Sequence, residues 1–160
     1  MAGSPSIARL RELHELAKQG ALSIEGRTLY DVMRTDFARA MVRASHVEIR
    51  PGQTPPMAMR VQQALKVRIA LPLGGTHTTI TADLAGAGFS TLVPERLAVG
   101  STCPFELHLG RDPVAGVGTV LDVQPQSGVY RVWFSLDGLT PALRERVESF
   151  VLEAALRALP

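Results

Sequence analysis

The first part of the chain has apolar residues at helical spacing. They recur every three or four positions after Ser4-Pro5, a pair typical of a helix N-cap followed by a first-turn proline. Gly20 predicts the end of this helix, and Ser23 can cap a second one. The second helix has a single apolar stripe, formed by Leu29, Met33, Phe37 and Met41. The sequence therefore predicts an N-terminal helical hairpin within residues 1–50.

The helical pattern stops at the run R-P-G-Q-T-P-P, from Arg50 to Pro56. Three prolines and a glycine remove hydrogen-bond donors and break a helical path, so this run cannot hold regular structure. We predict a linker over residues 51–56. It separates a helical extension, residues 1–50, from a domain over residues 57–160.

After the linker the apolar period changes from 3.6 to 2 and stays there for about eighty residues. Alternation of this kind is typical of strands that bury one face. Turn-forming residues, including Gly74-Gly75 and Pro125–Gly128, separate the alternating runs. Six strands are predicted, within Leu65–Leu71, Thr78–Asp83, Phe89–Val93, Phe105–Leu109, Val114–Val123 and Val129–Leu136.

Six short strands with no helical pattern among them favour an antiparallel barrel over a sheet built from strand–helix–strand units. Thr140-Pro141 then repeats the N-cap and first-turn proline, and an apolar face with helical spacing follows. The predicted fold class is mainly β with flanking helices. It is a six-stranded antiparallel barrel with an N-terminal helical hairpin and a C-terminal helix.

Composition narrows the location and the class of protein. The start of the chain lacks the basic-then-apolar order of a secretory signal, and no segment is apolar for long enough to span a bilayer. These features predict a cytosolic protein with no membrane insertion. Only 5% of the residues are aromatic and the net charge is +2, which argues against binding to a nucleic-acid polymer.

Residues able to perform chemistry are scattered. The 4 histidines have no metal-ligand spacing, and surface or edge positions are expected for them. His14-Glu15 lacks the second histidine of a zinc-protease helix, because Lys18 stands in its position. Cys103 precedes a proline at the start of a strand and is expected to be a small buried hydrophobe. We predict a protein that is not an enzyme and holds no metal.

One segment carries a resemblance to a known family. The run D-L-A-G-A-G-F, from Asp83 to Phe89, follows the second predicted strand of the barrel. In this position it resembles the PilZ family, whose members carry an Asp/Asn-x-Ser-x-x-Gly motif there and an Arg-x-x-x-Arg motif before the first strand. Together these two motifs bind cyclic di-GMP. The resemblance extends over residues 57–155, in strand order and in the final helix.

The departures from the family pattern weaken the implied site. Ala85 replaces the motif serine, and Ala64 stands four positions after Arg60, where a second arginine is expected. A charge-assisted hydrogen bond contributes about 1.5–3 kcal/mol, so losing one arginine and one hydroxyl predicts binding weakened by roughly several hundredfold. The resemblance implies a degenerate cyclic di-GMP site at Arg60, Lys66, Arg68, Asp83, Ala85 and Gly88.

Some of these residues also have another interpretation. Lys66 and Arg68 could replace the missing arginine, but alternation puts Leu65, Val67 and Ile69 on the buried side and the two cations on the other. An aspartate at a strand end can bond the next turn, and a glycine there can adopt a positive φ. Asp83 and Gly88 can therefore be structural whether or not a ligand binds.

The resemblance implies a bacterial regulatory or adaptor module with weak or lost cyclic di-GMP binding and no cofactor. It would act through protein partners in motility, type IV pilus or biofilm control. The alternative is a working cyclic di-GMP receptor with an atypical arginine and lysine set. The stripe Leu29, Met33, Phe37 and Met41 is the candidate partner or dimer surface, with packing inside the protein as the competing interpretation.

Overall fold

A computed structural model describes residues 3–46 and 59–159, with side chains at 7–44 and 59–159. The chain divides into two compact units. The helical unit comprises Met1–Met59 with Leu152–Pro160, and the barrel unit comprises Arg60–Val151. The linker predicted at residues 51–56 lies outside the described residues.

The helical unit contains the predicted hairpin, formed by α1 (Gly3–Lys18) and α2 (Ile24–His46). Gly20 ends α1 with a φ of 68°, a conformation that glycine adopts without steric cost. The Ser23 hydroxyl oxygen accepts a 3.0 Å hydrogen bond from the backbone N–H of Gly26. This bond caps α2 as the sequence predicts.

The core of the helical unit is a small apolar cluster. Its buried members are Leu10, Leu13, Tyr30, Leu152 and Leu156, and Met33 and Phe37 are among the half-buried residues packed against it. The last two leucines come from the final helix, so this core joins residues from both ends of the chain.

His14 corrects an expectation from the sequence, because it is only 2% exposed rather than at the surface. Its Nδ1 lies 3.0 Å from the Tyr30 hydroxyl, and its Nε2 lies 3.8 Å from a carboxylate oxygen of Glu153. Burial lowers the pKa of His14 below the ordinary 6.5, and the nearby Glu153 carboxylate only partly opposes this shift. The imidazole therefore belongs to the helical core.

The barrel unit is a closed antiparallel barrel of six strands with one additional short strand. The strands are β1 (Arg60–Val61), β2 (Lys66–Ala70), β3 (Thr76–Ala85), β4 (Gly88–Val93), β5 (Thr102–His108), β6 (Pro113–Gln126) and β7 (Val129–Ser135). The ring runs β3-β2-β5-β6-β7-β4 and closes where β4 pairs again with β3. The predicted fold class is confirmed, and the short β1 is the strand that alternation did not predict.

Inward-facing side chains of the strands fill the barrel. Phe89 is fully buried, and its ring centroid lies 5.3 Å from those of both Phe105 and Phe134. The arrangement is edge-on to Phe105 and stacked with Phe134, both favourable geometries for aromatic pairs. Cys103 is also fully buried, and this burial raises the pKa of its thiol. The thiol is the small buried hydrophobe that the sequence predicts.

Tight turns connect the longer strands. Ser127 and Gly128 both have positive φ, 49° and 86°, and form the turn between β6 and β7. Positive φ at both central positions matches the right-handed twist of a two-residue hairpin. Gly74 and Gly75 also have positive φ, 95° and 84°, at the end of the longer loop over residues 71–75 that joins β2 to β3.

The final helix, α3, spans Pro141–Arg157. The hydroxyl oxygen of Thr140 accepts a 3.2 Å hydrogen bond from the backbone N–H of Leu143, which confirms the predicted cap. The part of α3 up to Val151 belongs to the barrel unit, and the part from Leu152 belongs to the helical unit. Within the described residues no helix has the length and apolar character needed to cross a bilayer.

Candidate functional site

The candidate motif lies on the outer surface of the barrel, where β1, β3, β4 and β7 run side by side. In one row of paired residues, Leu84, Phe89 and Phe134 point into the barrel and are buried. Because strand residues alternate between the two faces, the rows on either side of this one face outward. One outward row contains Arg60, Ala85, Gly88 and Ser135. The other contains Asp83, Ser90, Trp133 and Asp122.

Asp83 is bonded within the protein although it lies on this outer surface. It is 5% exposed, and one carboxylate oxygen, Oδ2, accepts hydrogen bonds from Arg131 Nη2 and, at 3.2 Å, from the Ser90 hydroxyl. The Asp83–Arg131 contact is also an ion pair. Charge-assisted hydrogen bonds of this kind are about twice as strong as neutral ones. The motif aspartate therefore already has a cation and a hydroxyl bound to it.

Arg60 contributes a second guanidinium to the surface. Its Cζ atom lies 5.7 Å from the centroid of the Trp133 ring, within the range of a cation–π contact. Strands β3 and β4 lie between β1, which carries Arg60, and β7, which carries Trp133. Their paired residues at this level are Ala85 and Gly88, so the guanidinium and the indole approach each other above two very small residues. A flat cation on an aromatic face is one of the arrangements that can take a planar base.

A threonine on β3 positions the segment that carries Arg60. The Thr81 hydroxyl donates to the carbonyl of Gln63 and accepts a 3.0 Å hydrogen bond from the N–H of Leu65. The backbone N–H of Thr81 donates to the carbonyl of Leu65 at 2.8 Å. These bonds tie the irregular residues 62–65 to β3, so that β1 and β2 follow the same edge of that strand.

Gly88 is required for packing, but not for the reason expected from the sequence. Its φ is not in the positive region, whereas an added Cβ would lie 2.4 Å from the backbone carbonyl oxygen of Phe134. No Cβ fits at that distance, so the pairing of β4 with β7 needs glycine here. The expectation of positive φ at Gly88 is wrong, and close approach of two backbones is the reason for the residue.

Lys66 and Arg68 lie away from the motif along the outer face of β2. Both are exposed, and they pair with Ile80 and Thr78 on β3. At about 3.3 Å per strand residue, these partners lie roughly 17 and 23 Å from Ala85. The structure thus brings Arg60, Asp83, Ala85 and Gly88 together and leaves Lys66 and Arg68 apart from them.

Three residues of this surface were not recognised from the sequence, namely Ser90, Arg131 and Trp133. Alternation in β7 does indicate that Arg131 and Trp133 share the face opposite Val132 and Phe134. The β4–β7 register, which puts Ser90 opposite Trp133, and the bulge in β3 between Thr81 and Asp83 depend on tertiary structure. The outward direction of these side chains was therefore readable, but their meeting with Asp83 was not.

The apolar stripe of α2 is divided between core and surface. Met33 and Phe37 pack against the helical core, Met41 is half-buried, and Leu29 is 42% exposed. Val32, one turn along from Leu29 on the helix surface, is 53% exposed. The exposed apolar surface of α2 therefore includes Leu29 and Val32 rather than the whole predicted stripe.

No group of three or more histidine, cysteine, aspartate or glutamate side chains suited to a metal ion occurs within residues 3–46 and 59–159. On the outer face described above the Ser90 hydroxyl and the Asp83 carboxylate are buried, which leaves the Arg60 and Arg131 guanidinium groups and the Trp133 indole at least partly exposed. These groups can bind an anion or a planar base. They do not form a nucleophile paired with a base.

The fold and this surface define the class of the protein as a closed antiparallel barrel with a charged and aromatic cluster outside one group of strands. No protein-family model matches the sequence, and a search of curated proteins finds no match. Solved structures do match, and they share the PilZ fold. The chain has this fold, as its resemblance to the PilZ family predicts.

Three of these structures illustrate the match. The inhibitor of motility MotI/DgrA of Bacillus subtilis has a TM-score of 0.56 and 11% identity, over 67% of this chain and 54% of that one. The PilZ domain of YcgR from Escherichia coli, solved with c-di-GMP, has a TM-score of 0.54 and 14% identity, over 66% of this chain and 95% of that one. MrkH of K. pneumonia in its apo state also has a TM-score of 0.54 and 14% identity, over 69% of this chain and 55% of that one. The chain thus matches only about half the length of MotI and of MrkH.

Proposed function

We propose that this protein is a non-enzymatic PilZ-like regulatory module in which cyclic di-GMP binding is weak or lost. The observation that carries the proposal is the state of Asp83, whose carboxylate is bonded to Arg131 and Ser90. A ligand that needs this carboxylate must first break an ion pair, at a cost of order 1.5–3 kcal/mol. Ala85 offers no hydroxyl in return, and Ala64 no guanidinium.

Calorimetric titration of the full chain with cyclic di-GMP tests this proposal. We expect a dissociation constant weaker than micromolar, because one arginine and one hydroxyl of the family pattern are missing. The variant Ala85→Ser restores the hydroxyl on the outer face and provides a matched comparison, with an expected gain of about tenfold. A wild-type dissociation constant of micromolar or tighter would contradict weak binding.

A module without strong nucleotide binding would act through protein contacts, in the cytosol of a bacterial cell. One of the similar structures is that of an inhibitor of motility, which supports a motility, pilus or biofilm context for this proposal. We assign the contact to the exposed apolar surface of α2 at Leu29 and Val32. Of the other residues of the predicted stripe, Met33 and Phe37 pack against the helical core and Met41 is half-buried.

The second candidate is a working cyclic di-GMP receptor with an unusual set of cations. Lys66 and Arg68 are unsuited to it, since both pair with β3 residues far from Ala85. Arg131 favours it, because this guanidinium lies at the motif aspartate. Replacing Arg60 with alanine separates the candidates in the same calorimetric experiment, because a receptor loses affinity in this variant and an adaptor does not respond.

A further inference from the structure

We propose that Arg131 is the second guanidinium of the outer-surface site and that Asp83 competes with an anionic ligand for it. The inference rests on the proposed nucleotide site and concerns how that site is regulated. In this arrangement Asp83 is not a ligand residue but an internal counter-ion. It holds Arg131 away from a phosphate group until the ion pair opens.

The geometry of the ion pair supports competition. Arg131 reaches Asp83 through Nη2 alone, and its side chain is 35% exposed. Its Nε is buried and has no hydrogen-bond partner among the described residues. A guanidinium fork satisfies an oxyanion best through two parallel N–H bonds, and this contact uses one nitrogen. A phosphate bound by both Nε and Nη2 would satisfy the donor that Asp83 leaves unmatched.

The charges of the surface also support competition between Asp83 and an anionic ligand. Arg60 and Arg131 supply two positive charges, and Asp83 cancels one of them. Cyclic di-GMP carries two phosphate charges and two planar bases, so it matches two guanidinium groups better than one. The Trp133 ring, already in contact with Arg60, provides the aromatic face on which a base can stack.

The test compares the affinity for cyclic di-GMP of the wild-type chain and of Asp83→Asn, measured by the fluorescence of the single tryptophan, Trp133. Asparagine keeps an acceptor for Ser90 but removes the charge that holds Arg131. We expect binding at least about tenfold tighter than wild type. The double variant Asp83→Asn with Arg131→Gln should lose this gain, because the freed guanidinium is then absent.

Asp122→Asn is the matched control for charge. Asp122 lies on the same outer row, opposite Trp133, but it is exposed and accepts a hydrogen bond from Gln124 at 3.1 Å. The substitution of Asp122 by asparagine removes one negative charge near the indole without releasing Arg131. We expect its affinity to remain within about twofold of wild type. An equal gain in Asp122→Asn and Asp83→Asn would overturn the inference, because the effect would then be general attraction.

The outcome separates this inference from the proposed function. A wild-type dissociation constant of micromolar or tighter contradicts the proposed weak binding. The inference about Arg131 is still tested in that case by the ratio of the dissociation constants of Asp83→Asn and wild type. An unchanged ratio, or a gain that survives without Arg131, overturns the inference alone. Thermal unfolding by circular dichroism checks that each variant is folded, with Asp83→Ser as a second substitution. If neither variant folds, the carboxylate has a structural role and the inference is wrong.

Discussion

At the scale of single residues, two glycines close together in the motif have different roles. Gly88 lies against the backbone of β7, where an added Cβ would meet the Phe134 carbonyl oxygen at 2.4 Å. At Gly86 an added Cβ would meet Glu148 Cγ at 3.0 Å. A backbone carbonyl in a paired strand cannot move aside, whereas a glutamate side chain can rotate. The same substitution should therefore have unequal costs at the two positions.

We predict that Gly88→Ala destabilises the protein by about 1–3 kcal/mol, because it forces β4 and β7 apart. Gly86→Ala should change stability by less than about 1 kcal/mol, and the reduced entropy of the unfolded chain partly offsets the contact. Urea unfolding followed by Trp133 fluorescence measures both variants. Equal costs at the two positions would contradict the close-approach explanation for Gly88.

The residue scale also explains which part of the site the sequence could predict. Arg60, Asp83 and Gly88 were found through a linear motif, and the structure brings them together. Arg131 lies 48 positions from Asp83 along the chain, and their contact depends on the register of three strands. Alternation determines which face a side chain occupies, but it contains no information on register between strands.

At the scale of elements, alternation predicted the barrel strands because each of them buries one face. It missed β1, a two-residue strand too short to alternate, which pairs with Ala85 and Leu84 of β3. In the helices, spacing identified the hairpin but assigned His14 to the surface. His14 lies one residue from the buried Leu13, and its ring packs with Tyr30 of the facing helix, which a single-helix pattern does not reveal.

The contacts of His14 predict a dependence of helical stability on pH. Burial lowers its pKa below 6.5, and the charged groups facing it are Glu153, Lys18, Glu15 and Arg34. Between the lowered pKa and 6.5 the unfolded chain binds more protons than the folded one. The free energy of unfolding should therefore be highest above pH 6.5 and fall as the pH drops below it.

Urea unfolding monitored by helical circular dichroism between pH 5 and 7.5 measures this effect. His14→Asn retains an amide for the Tyr30 hydroxyl and should flatten the slope below pH 6.5. His77→Asn, at a half-buried position on β3, is the control and should leave the slope in place. A wild-type profile without any slope in this range would rule out the effect.

Glu153 titrates in a separate range. Burial alone would raise its pKa, but the hydrogen bond and positive charge of Lys18 lower it below the usual 4.5. Its contribution to stability is therefore present above pH 4.5 and is lost below it. A pH series extended below 4.5 distinguishes the two effects, since the loss of stability from His14 begins below pH 6.5 and that from Glu153 begins only below pH 4.5.

At the scale of the whole molecule, the two compact units divide α3 between them, and the core of the helical unit contains Leu152 and Leu156 of this helix. Deleting residues 1–50 would remove α1 and α2 and expose Leu152 and Leu156, which are buried in the helical core. Such a deletion would create a new apolar surface. Substitutions on the intact chain are therefore the better test of the proposed contact surface on α2.

We predict that the wild-type chain associates with a second copy and that Leu29→Glu with Val32→Glu abolishes this association. Two buried carboxylates without partners are costly at an interface, while at an exposed helix surface they are tolerated. Light scattering after size exclusion, at two protein concentrations, should give a mass near 17.2 kDa for the variant and a larger mass for wild type. Val99→Glu, at a position 66% exposed in the barrel unit, is the matched control.

A monomeric wild-type chain at both concentrations would exclude a second copy as the partner. Association that persists in the double variant would exclude this part of α2 as the contact. Both results are independent of the nucleotide-binding measurements, because Leu29 and Val32 belong to the helical unit and the candidate nucleotide site lies within the barrel unit.

Because Gly88 lies so close to the opposite strand, its presence in a motif is weak evidence that a domain takes part in signalling. Any chain that folds with these two backbones so close must keep glycine there, whether it responds to a second messenger or has stopped doing so. Counting that glycine as a hallmark of a receptor would overestimate how many such domains sense a nucleotide. The informative positions for recognising a silent domain are the side chains around the glycine, which folding leaves free to change.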